Sequence, residues 1–260
     1  MMYNSGIDPR IFSVFSTSAF RFGHSMIPES FHIGSRTPLL RDLFNKPFEV
    51  YDNLHHITYG LINATGGNSQ RAQRVDRHFV REITNHLFQP IDRPFNGLDL
   101  VALNIQRGRD HGLPSYPRFR QACGLRPVNT FQDSALGTAG RDLAQIYSDV
   151  NDIDVFTGSM VEPPEEGAIV GPTIACILAR QFHSLKYGDR FYFEAFQGPN
   201  GFSQSQRAEL RKATLGWVLC NNLDFFNVQR DVFRIAGRDN PVMTCEEVMA
   251  GGPDLRILAN

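Results

Sequence analysis

Apolar residues recur at three- and four-residue steps along several stretches of this 260-residue chain, which is the spacing of one face of a helix. The first stretch covers residues 10–26. It follows an Asp8-Pro9 pair, and these residue types suit the start of a helix. The pattern predicts one helix here, with Arg21 one turn before His24 on the same side.

The rest of the chain also favours helices. Further helices are predicted over residues 70–88, 98–109, 117–122, 139–147, 171–185 and 205–220. Short helices and loops are predicted over 29–68, a surface loop over 160–171, a turn at 198–201 and an irregular tail beyond Pro241. The pattern predicts a mainly α-helical protein and one compact unit over residues 1–260.

Charge and composition argue against nucleic acid binding and against a membrane-spanning helix. The net charge is -1, from 26 basic and 27 acidic side chains, so no excess of cations is present to bind nucleic acid phosphates. No uninterrupted apolar stretch approaches the roughly 20 residues of a membrane-spanning helix. Residues 1–6 lack the charged and then apolar layout of a secretory signal.

The four cysteines favour an oxidising environment, although residues 1–6 do not resemble a secretory signal. Cys123, Cys176, Cys220 and Cys245 form an even set without a CxxC pair, which favours two disulfides over a zinc site. Three pairings are open, and four free thiols in a cytosolic protein are the alternative. Asn63-Ala64-Thr65 is a glycosylation acceptor sequence, which agrees with an extracellular location.

Two segments carry the candidate chemistry. One contains Arg21 and His24, and the other contains Asn104 and Arg107. A haem needs an axial ligand for its iron and cations for its propionates. Gly23 leaves room for a planar group, and Asn104 offers an acceptor for the second nitrogen of the His24 ring.

Each of these residues also has a simpler interpretation. His24 is typical of a hydrogen-bonded core histidine, Arg21 of a surface side chain, and the cluster around Arg107 of a charged helix end. His55 and His56 are adjacent, so we predict that they point in different directions on the surface. The remaining candidates without a visible partner are His32, His78, His86 and His183.

The same segments carry a family resemblance. AFRFGHSMIP, LDLVALNIQRGRDHGLPSYPRFRQACGL, GPTIACILARQF, YGDRFYFE and LCNNL resemble, in this order, the animal haem peroxidase family. The family includes myeloperoxidase, thyroid peroxidase and peroxidasin, with cyclooxygenases as remote relatives. NIQRGRDHG is a specific signature that fits the peroxidase branch better than a cyclooxygenase-type dioxygenase.

The resemblance implies roles for individual residues. It makes His24 the proximal ligand of the haem iron and Asn104 the hydrogen-bond partner of that histidine. Arg21 and Arg107 become partners of the haem propionates. It also pairs Cys123 with Cys176 and Cys220 with Cys245, and so implies an oxidising compartment and secretion.

The resemblance also implies the rest of the enzyme. The cofactor is haem b, which two carboxylates attach covalently in several members of the family. The substrates are hydrogen peroxide and a small electron donor, either a halide or a phenol. The family's distal histidine, glutamine and arginine, and its calcium-binding loop, have no match in this sequence.

We therefore expect the carboxyl-terminal, proximal half of a haem peroxidase fold, without the distal catalytic residues. The alternative is a truncated, non-catalytic protein that acts by association with partners through an exposed apolar surface.

Overall fold

The computed structural model describes residues 3–62, 75, 77–90, 92–93, 96–195 and 201–259. Helices dominate this part of the chain, which confirms the predicted fold class. The α-helices are α1 (Ser13–Thr17), α2 (Pro47–Ile62), α3 (Arg81–Thr84), α4 (Leu100–Asp110), α5 (Tyr116–Ala122), α6 (Gly140–Leu143), α7 (Val155–Val161), α8 (Pro172–Gly188), α9 (Gln204–Leu210), α10 (Leu215–Asn222) and α11 (Cys245–Ala250).

Shorter elements complete the secondary structure. The 3₁₀ helices include Ala19–Met26, Leu40–Asp42, Ser134–Ala139, Val150–Asp152 and Leu255–Ala259. Strands β1 (Asn227–Gln229) and β2 (Val242–Thr244) pair antiparallel, with Val228 opposite Met243. Within the described residues, no helix has both the length and the hydrophobicity needed to cross a bilayer.

The chain folds into two compact units. The terminal unit comprises Met1–Gly6, Ser30–Ser69 and Asp189–Asn260, and the central unit comprises Ile7–Glu29 and Gln70–Gly188. The prediction that residues 1–260 form one domain remains a prediction.

Apolar side chains from several helices form the core of the central unit. One cluster packs around Tyr116, Leu136 and Ile153, which are all fully buried. A second contains Phe156, Met160 and Ile174, against which Phe22, Val101 and Ile105 pack. The second cluster therefore holds the 3₁₀ helix Ala19–Met26 and helix α4 against α7 and α8.

The core of the terminal unit is smaller. It contains Phe225, Val228 and Val232, together with the Cys220–Cys245 disulfide between α10 and α11. In the central unit, the disulfide Cys123–Cys176 joins the end of α5 to α8. The cysteine pairing is therefore the one that the family resemblance implies.

The loop after α7 carries a buried carboxylate, which the surface-loop prediction for 160–171 missed. Glu162 accepts hydrogen bonds from the Tyr116 hydroxyl at 2.7 Å and from the Thr173 amide and hydroxyl at 2.8 and 2.6 Å. It also forms an ion pair with the buried Arg120. Burial, and next the negative charge of Glu162, raise the pKa of Tyr116 well above its ordinary value. This network ties α5, α7 and α8 together.

The predicted helix over 10–26 is wrong in its length and its start. It is interrupted at Ser18, and its first helical residue is Ser13. The Gln181 side chain accepts from the Phe12 amide at 2.7 Å and donates to the Arg10 carbonyl at 3.3 Å. These bonds hold residues 10 and 12 outside the helix, with Phe12 extended, so the helix begins at Ser13 and Asp8 does not cap it.

Other helix predictions are also corrected. The described part of 70–88 is helical only at α3, although Val75, Ile83 and Leu87 are buried as expected of an apolar face. Helix α2 was missed in 29–68, because its residues are largely exposed and its apolar side chains define no clear face. The helix predicted over 139–147 is shorter and follows the 3₁₀ helix Ser134–Ala139.

The last predicted helix and the tail are corrected too. Residues 205–220 form α9 and α10, because Thr214 caps a new helix by accepting from the Trp217 amide at 3.1 Å. The tail contains β2 and α11 rather than irregular chain. Helices α4, α5 and α8 were predicted to within three residues at each end. Asn63-Ala64-Thr65 and most of the predicted turn at 198–201 lie outside the described residues.

Replacing Glu162 with glutamine should lower the free energy of unfolding by about 3 kcal/mol, because it leaves the buried Arg120 without a counter-charge. Urea unfolding measures this loss. Glu166→Gln, at an exposed position of the same loop, is the matched control and should change stability by less than about 0.5 kcal/mol. Equal stability of the two variants would contradict the role of this network.

Removing the Cys123–Cys176 disulfide by a double alanine substitution should cost about 4 kcal/mol, because the bond closes a loop with a sequence separation of 53 residues. Removing Cys220–Cys245, with a separation of 25, should cost about 3.5 kcal/mol. Guanidinium unfolding of both variants tests the expectation. A loss below about 1 kcal/mol for either variant is the result that opposes it.

Candidate functional site

Two helices of the central unit bring the four predicted site residues together. In the 3₁₀ helix Ala19–Met26, residues three apart lie on the same side, so Arg21 and His24 share a face. On α4, Asn104 and Arg107 are also three residues apart. The site therefore consists of two such pairs on neighbouring elements.

Local sequence fixes the ends of α4. The Asp99 carboxylate caps the helix by accepting from the Val101 and Ala102 amides at 2.8 and 3.1 Å. The helix ends before Gly112, whose φ of +61° lies in the left-handed region that favours glycine. The DHG part of the signature therefore sets the length of the helix that carries Asn104 and Arg107.

Asn104 is the centre of the site. Its side chain is fully buried, and both ends of its amide are used. Arg21 Nη1 donates to Asn104 Oδ1 at 3.0 Å, and Asn104 Nδ2 lies 2.9 Å from His24 Nδ1. Arg21, Asn104 and His24 therefore form one hydrogen-bonded chain, which we call the amide relay.

The orientation of the Asn104 amide differs from the sequence-based expectation. The sequence predicts that its oxygen accepts a hydrogen bond from the His24 ring. A guanidinium can only donate, so Arg21 takes the amide oxygen and leaves the NH₂ group facing His24. In this arrangement Nδ1 of the neutral His24 ring accepts, and Nε2 carries the proton.

Electrostatics keep the His24 ring neutral. Burial lowers the pKa of His24, and the positive charge of Arg21 lowers it further. A neutral imidazole is the form that binds a metal. Within the described residues, no hydrogen bond engages His24 Nε2.

The arginines of the RGRD segment have different roles. Arg109 forms a two-point ion pair with Asp154, at 2.9 and 2.7 Å, and so anchors α4 to the start of α7. Arg107 has a more distant carboxylate, Asp110, at 3.9 Å. The charged-helix-end interpretation therefore describes Arg109 well and Arg107 poorly.

Two guanidiniums lie near each other at the site. Burial lowers the pKa of Arg21, and the positive charge of Arg107 lowers it further. Arg21 forms no ion pair among the described residues. An anion bound between Arg21 and Arg107 would relieve their repulsion.

The two elements that carry the site also expose apolar surface. Phe20 is 56% exposed and Leu103 is 39% exposed, although both are large apolar residues. A Cβ placed on Gly23 would meet no atom within 4 Å. The arrangement therefore offers a neutral ring nitrogen, two cations and apolar surface.

Some residues with side chains suited to binding gave no useful signal in the sequence. His32, His55 and His56 line one pocket of the terminal unit, although we predicted a surface position for the last two and gave His32 no role. Because His32 is distant in the sequence from His55 and His56, residue spacing does not indicate that they line the same pocket. In the described part of the chain, no three His, Cys, Asp or Glu side chains are arranged to hold a metal ion.

Comparisons with known proteins agree with the signature. A sequence model described as "Animal haem peroxidase" matches residues 1–233. "Peroxidase-like protein 3" of Lottia gigantea is 36% identical over 247 residues, covering 95% of this chain and 80% of that protein. "Thyroid peroxidase" of Sus scrofa is 34% identical over 268 residues, covering 97% of this chain and 28% of that protein.

A solved structure agrees with the fold. "Peroxidase A from Dictyostelium discoideum" superposes with a TM-score of 0.66 at 31% identity, covering 75% of this chain and 38% of that one. The chain thus spans most of the Lottia protein, but less than two fifths of the thyroid and Dictyostelium peroxidases. Because the family match covers most of its length, this chain belongs to the animal haem peroxidase family.

Proposed function

We propose that this chain supplies the haem-binding side of a peroxidase, in which Nε2 of His24 would bind the haem iron. The observation that carries this proposal is the amide relay, because it holds a neutral histidine beside two arginines. Arg21 and Arg107 would hold the haem propionates.

The described residues fit a haem on three counts. Gly23 and the exposed Phe20 leave open, apolar surface on the helix that carries His24. Arg21 and Arg107 repel each other and would be stabilised by carboxylates. A single histidine is enough for an iron that the porphyrin already coordinates. These observations support the family's cofactor.

Bound haem would supply the redox-active iron that reduces peroxide and oxidises a donor, for which we propose a halide or a phenol. This chain's own residues bind and orient. Asn104 fixes the ring of His24, and the low pKa of His24 keeps the ring neutral. Ligation through Nε2 requires the ring proton to reside on Nδ1, so the Asn104 amide must turn its oxygen towards the ring.

The remaining expectations concern the whole protein. The two disulfides support our proposal that it is extracellular. We also propose that the distal groups, the calcium site and any covalent link to the haem belong to a part of the family's sequence that has no counterpart in this chain. This part of the proposal rests on the family alone.

A second candidate function is a non-catalytic form that acts by association with partners. The exposed apolar side chains of α2 favour it, since Phe48 is 75% exposed and Tyr51 is 86% exposed. Haem binding discriminates between the two candidates.

Adding haemin to the purified chain should produce a Soret band distinct from that of free haemin, and His24→Ala should remove it. Replacing an outer-shell partner of a metal ligand typically costs 10–100-fold in affinity, so we expect the loss of the ligand to weaken haem binding by at least about tenfold. Absorption titration measures both.

His183→Ala is the matched control, because His183 is an exposed histidine of α8 outside the site. A band that His24→Ala leaves intact would refute the proposed ligand, and no band at all would favour the non-catalytic candidate. Peroxide turnover far above that of free haemin would refute the proposal that the distal groups lie elsewhere.

Arg21→Gln should raise the pKa of His24, because it removes a positive charge that disfavours the protonated ring. Burial should still hold the pKa below the ordinary value of 6.5. An NMR titration of the His24 ring in the haem-free chain measures both effects, with Arg118→Gln on the exposed side of α5 as the control.

The pKa of His24 also has a consequence for stability. The folded state binds fewer protons at His24 than the unfolded chain, so this contribution is complete above about pH 6.5 and is lost as the pH falls through the lowered value. Arg21→Gln should reduce the loss. A pKa that stays constant or falls in Arg21→Gln would contradict the electrostatic explanation.

A further inference from the structure

The terminal unit contains a concave pocket of about 630 Å³ between α2, the segment around His32 and the residues that precede and begin β1. This volume lies within the range of small-molecule sites in proteins, roughly 300–1,000 Å³. We propose that the pocket binds a hydroxylated aromatic amine, that is, a molecule with a phenol ring and an ammonium group. None of its lining residues belongs to the proposed haem-binding set.

A close backbone contact builds this pocket. A Cβ on Gly60 would lie 2.1 Å from the His32 carbonyl oxygen, so only glycine lets α2 approach this segment. Gly34, with a φ of +61°, faces the His56 ring, which would lie 3.7 Å from an added Cβ. His32 is therefore fixed against α2, with its ring in the wall of the pocket.

His32 provides the hydrogen bond. Its Nε2 atom is buried and has no partner among the described residues, whereas its Nδ1 lies 3.1 Å from the Thr37 hydroxyl. A buried polar atom without a partner is destabilising, so a turn of the His32 ring that presents Nε2 to a ligand group in the pocket contributes to affinity. A hydroxyl suits this position, because it donates to one tautomer of the ring and accepts from the other.

Aromatic side chains provide the surface for the ring. The Phe225 ring lies 4.7 Å from the His55 ring and 5.7 Å from the Tyr59 ring, measured between centroids. Phe226, beside them, is 81% exposed. Offset and edge-to-face contacts with these rings favour a planar aromatic ligand over an aliphatic one.

Charge selects the amine. Among the described lining residues, Asp224 carries the one carboxylate, and none is a lysine or an arginine. His55 Nε2 donates to the Asp224 carbonyl at 2.9 Å and so holds this residue at the edge of the pocket. An ammonium is therefore attracted by Asp224 and by the faces of the aromatic rings, while a ligand carboxylate is repelled.

The histidines do not make this pocket a metal site. His32, His55 and His56 all line it, but the described residues contain no group of three ligands arranged around one ion. One ring nitrogen is already engaged with Asp224 and another with Thr37. The pocket is thus suited to an organic molecule.

Three probes with the same phenol ring test the proposal: tyramine (cationic), p-cresol (neutral) and 4-hydroxyphenylacetate (anionic). Each is titrated by calorimetry at pH 7.5 into the full chain, without haem or peroxide. Tyramine should bind most tightly and 4-hydroxyphenylacetate most weakly. Equal affinities, tighter binding of the anion, or no binding of tyramine would overturn the proposal.

Variants locate the binding. His32→Phe should weaken tyramine binding by about three- to tenfold, which is the worth of one hydrogen bond. Asp224→Asn should reduce tyramine affinity to that of p-cresol. His183→Phe makes the same change at an exposed histidine of α8 and should have no effect.

His32→Gln is the second variant at this position, used if His32→Phe does not fold. Glutamine keeps a hydrogen-bonding group while it removes the ring. Circular dichroism of each variant establishes that it is folded. Tyramine affinity unchanged in folded His32→Phe, or lost equally in His183→Phe, would show that the pocket is not the site. These outcomes do not depend on whether the chain binds haem.

Discussion

The candidate site depends on one buried amide. Asn104 is fully enclosed and has an acceptor and a donor that both need partners, and the structure provides Arg21 for one and His24 for the other. Because a buried polar group without a partner is costly, this pairing fixes the 3₁₀ helix Ala19–Met26 against α4. The packing of Phe22 and Ile105 against the core of the central unit supplies the remaining stabilisation. The geometry of the site therefore follows from the satisfaction of one side chain.

The supporting contacts lie away from this amide and hold its two helices in place. Arg109 and Asp154 anchor the end of α4, while Glu162 joins α5, α7 and α8 through its bonds with Arg120 and Thr173. A buried ion pair adds little stability by itself, but the loss of either partner is destabilising. These contacts therefore fix the arrangement of helices more than they add to its free energy. Among the residues that the structure describes, they leave Arg107 with one distant carboxylate, Asp110.

The sequence predicted the parts of this structure that depend on local signals. The helix predicted over 98–109 matches α4 to within two residues at each end, and the sequence spacing already placed Asn104 and Arg107 on one side of it. The mainly α-helical class followed from the apolar periodicity, and the cysteine pairing followed from the family resemblance. The sequence did not predict the start of α1 at Ser13 or the buried Glu162, since Gln181 and Arg120, which determine them, are distant in the chain. Likewise, His32 and His55 meet in one pocket through tertiary contacts that no spacing indicates.

The amide relay also links two functions that haem binding would require, which are anion binding by Arg21 and metal ligation by His24. With Arg21 on its oxygen, Asn104 donates to Nδ1 and places the ring proton on Nε2, which is the nitrogen that we propose as the ligand. An anion that accepted the hydrogen bonds of Arg21 would free the amide oxygen to turn and accept from Nδ1–H instead. The tautomer of His24 would then change to the one with an open Nε2. Anion binding at the arginines and metal ligation by the histidine are thus linked through Asn104, since this amide points its oxygen at Arg21 and its NH₂ group at His24.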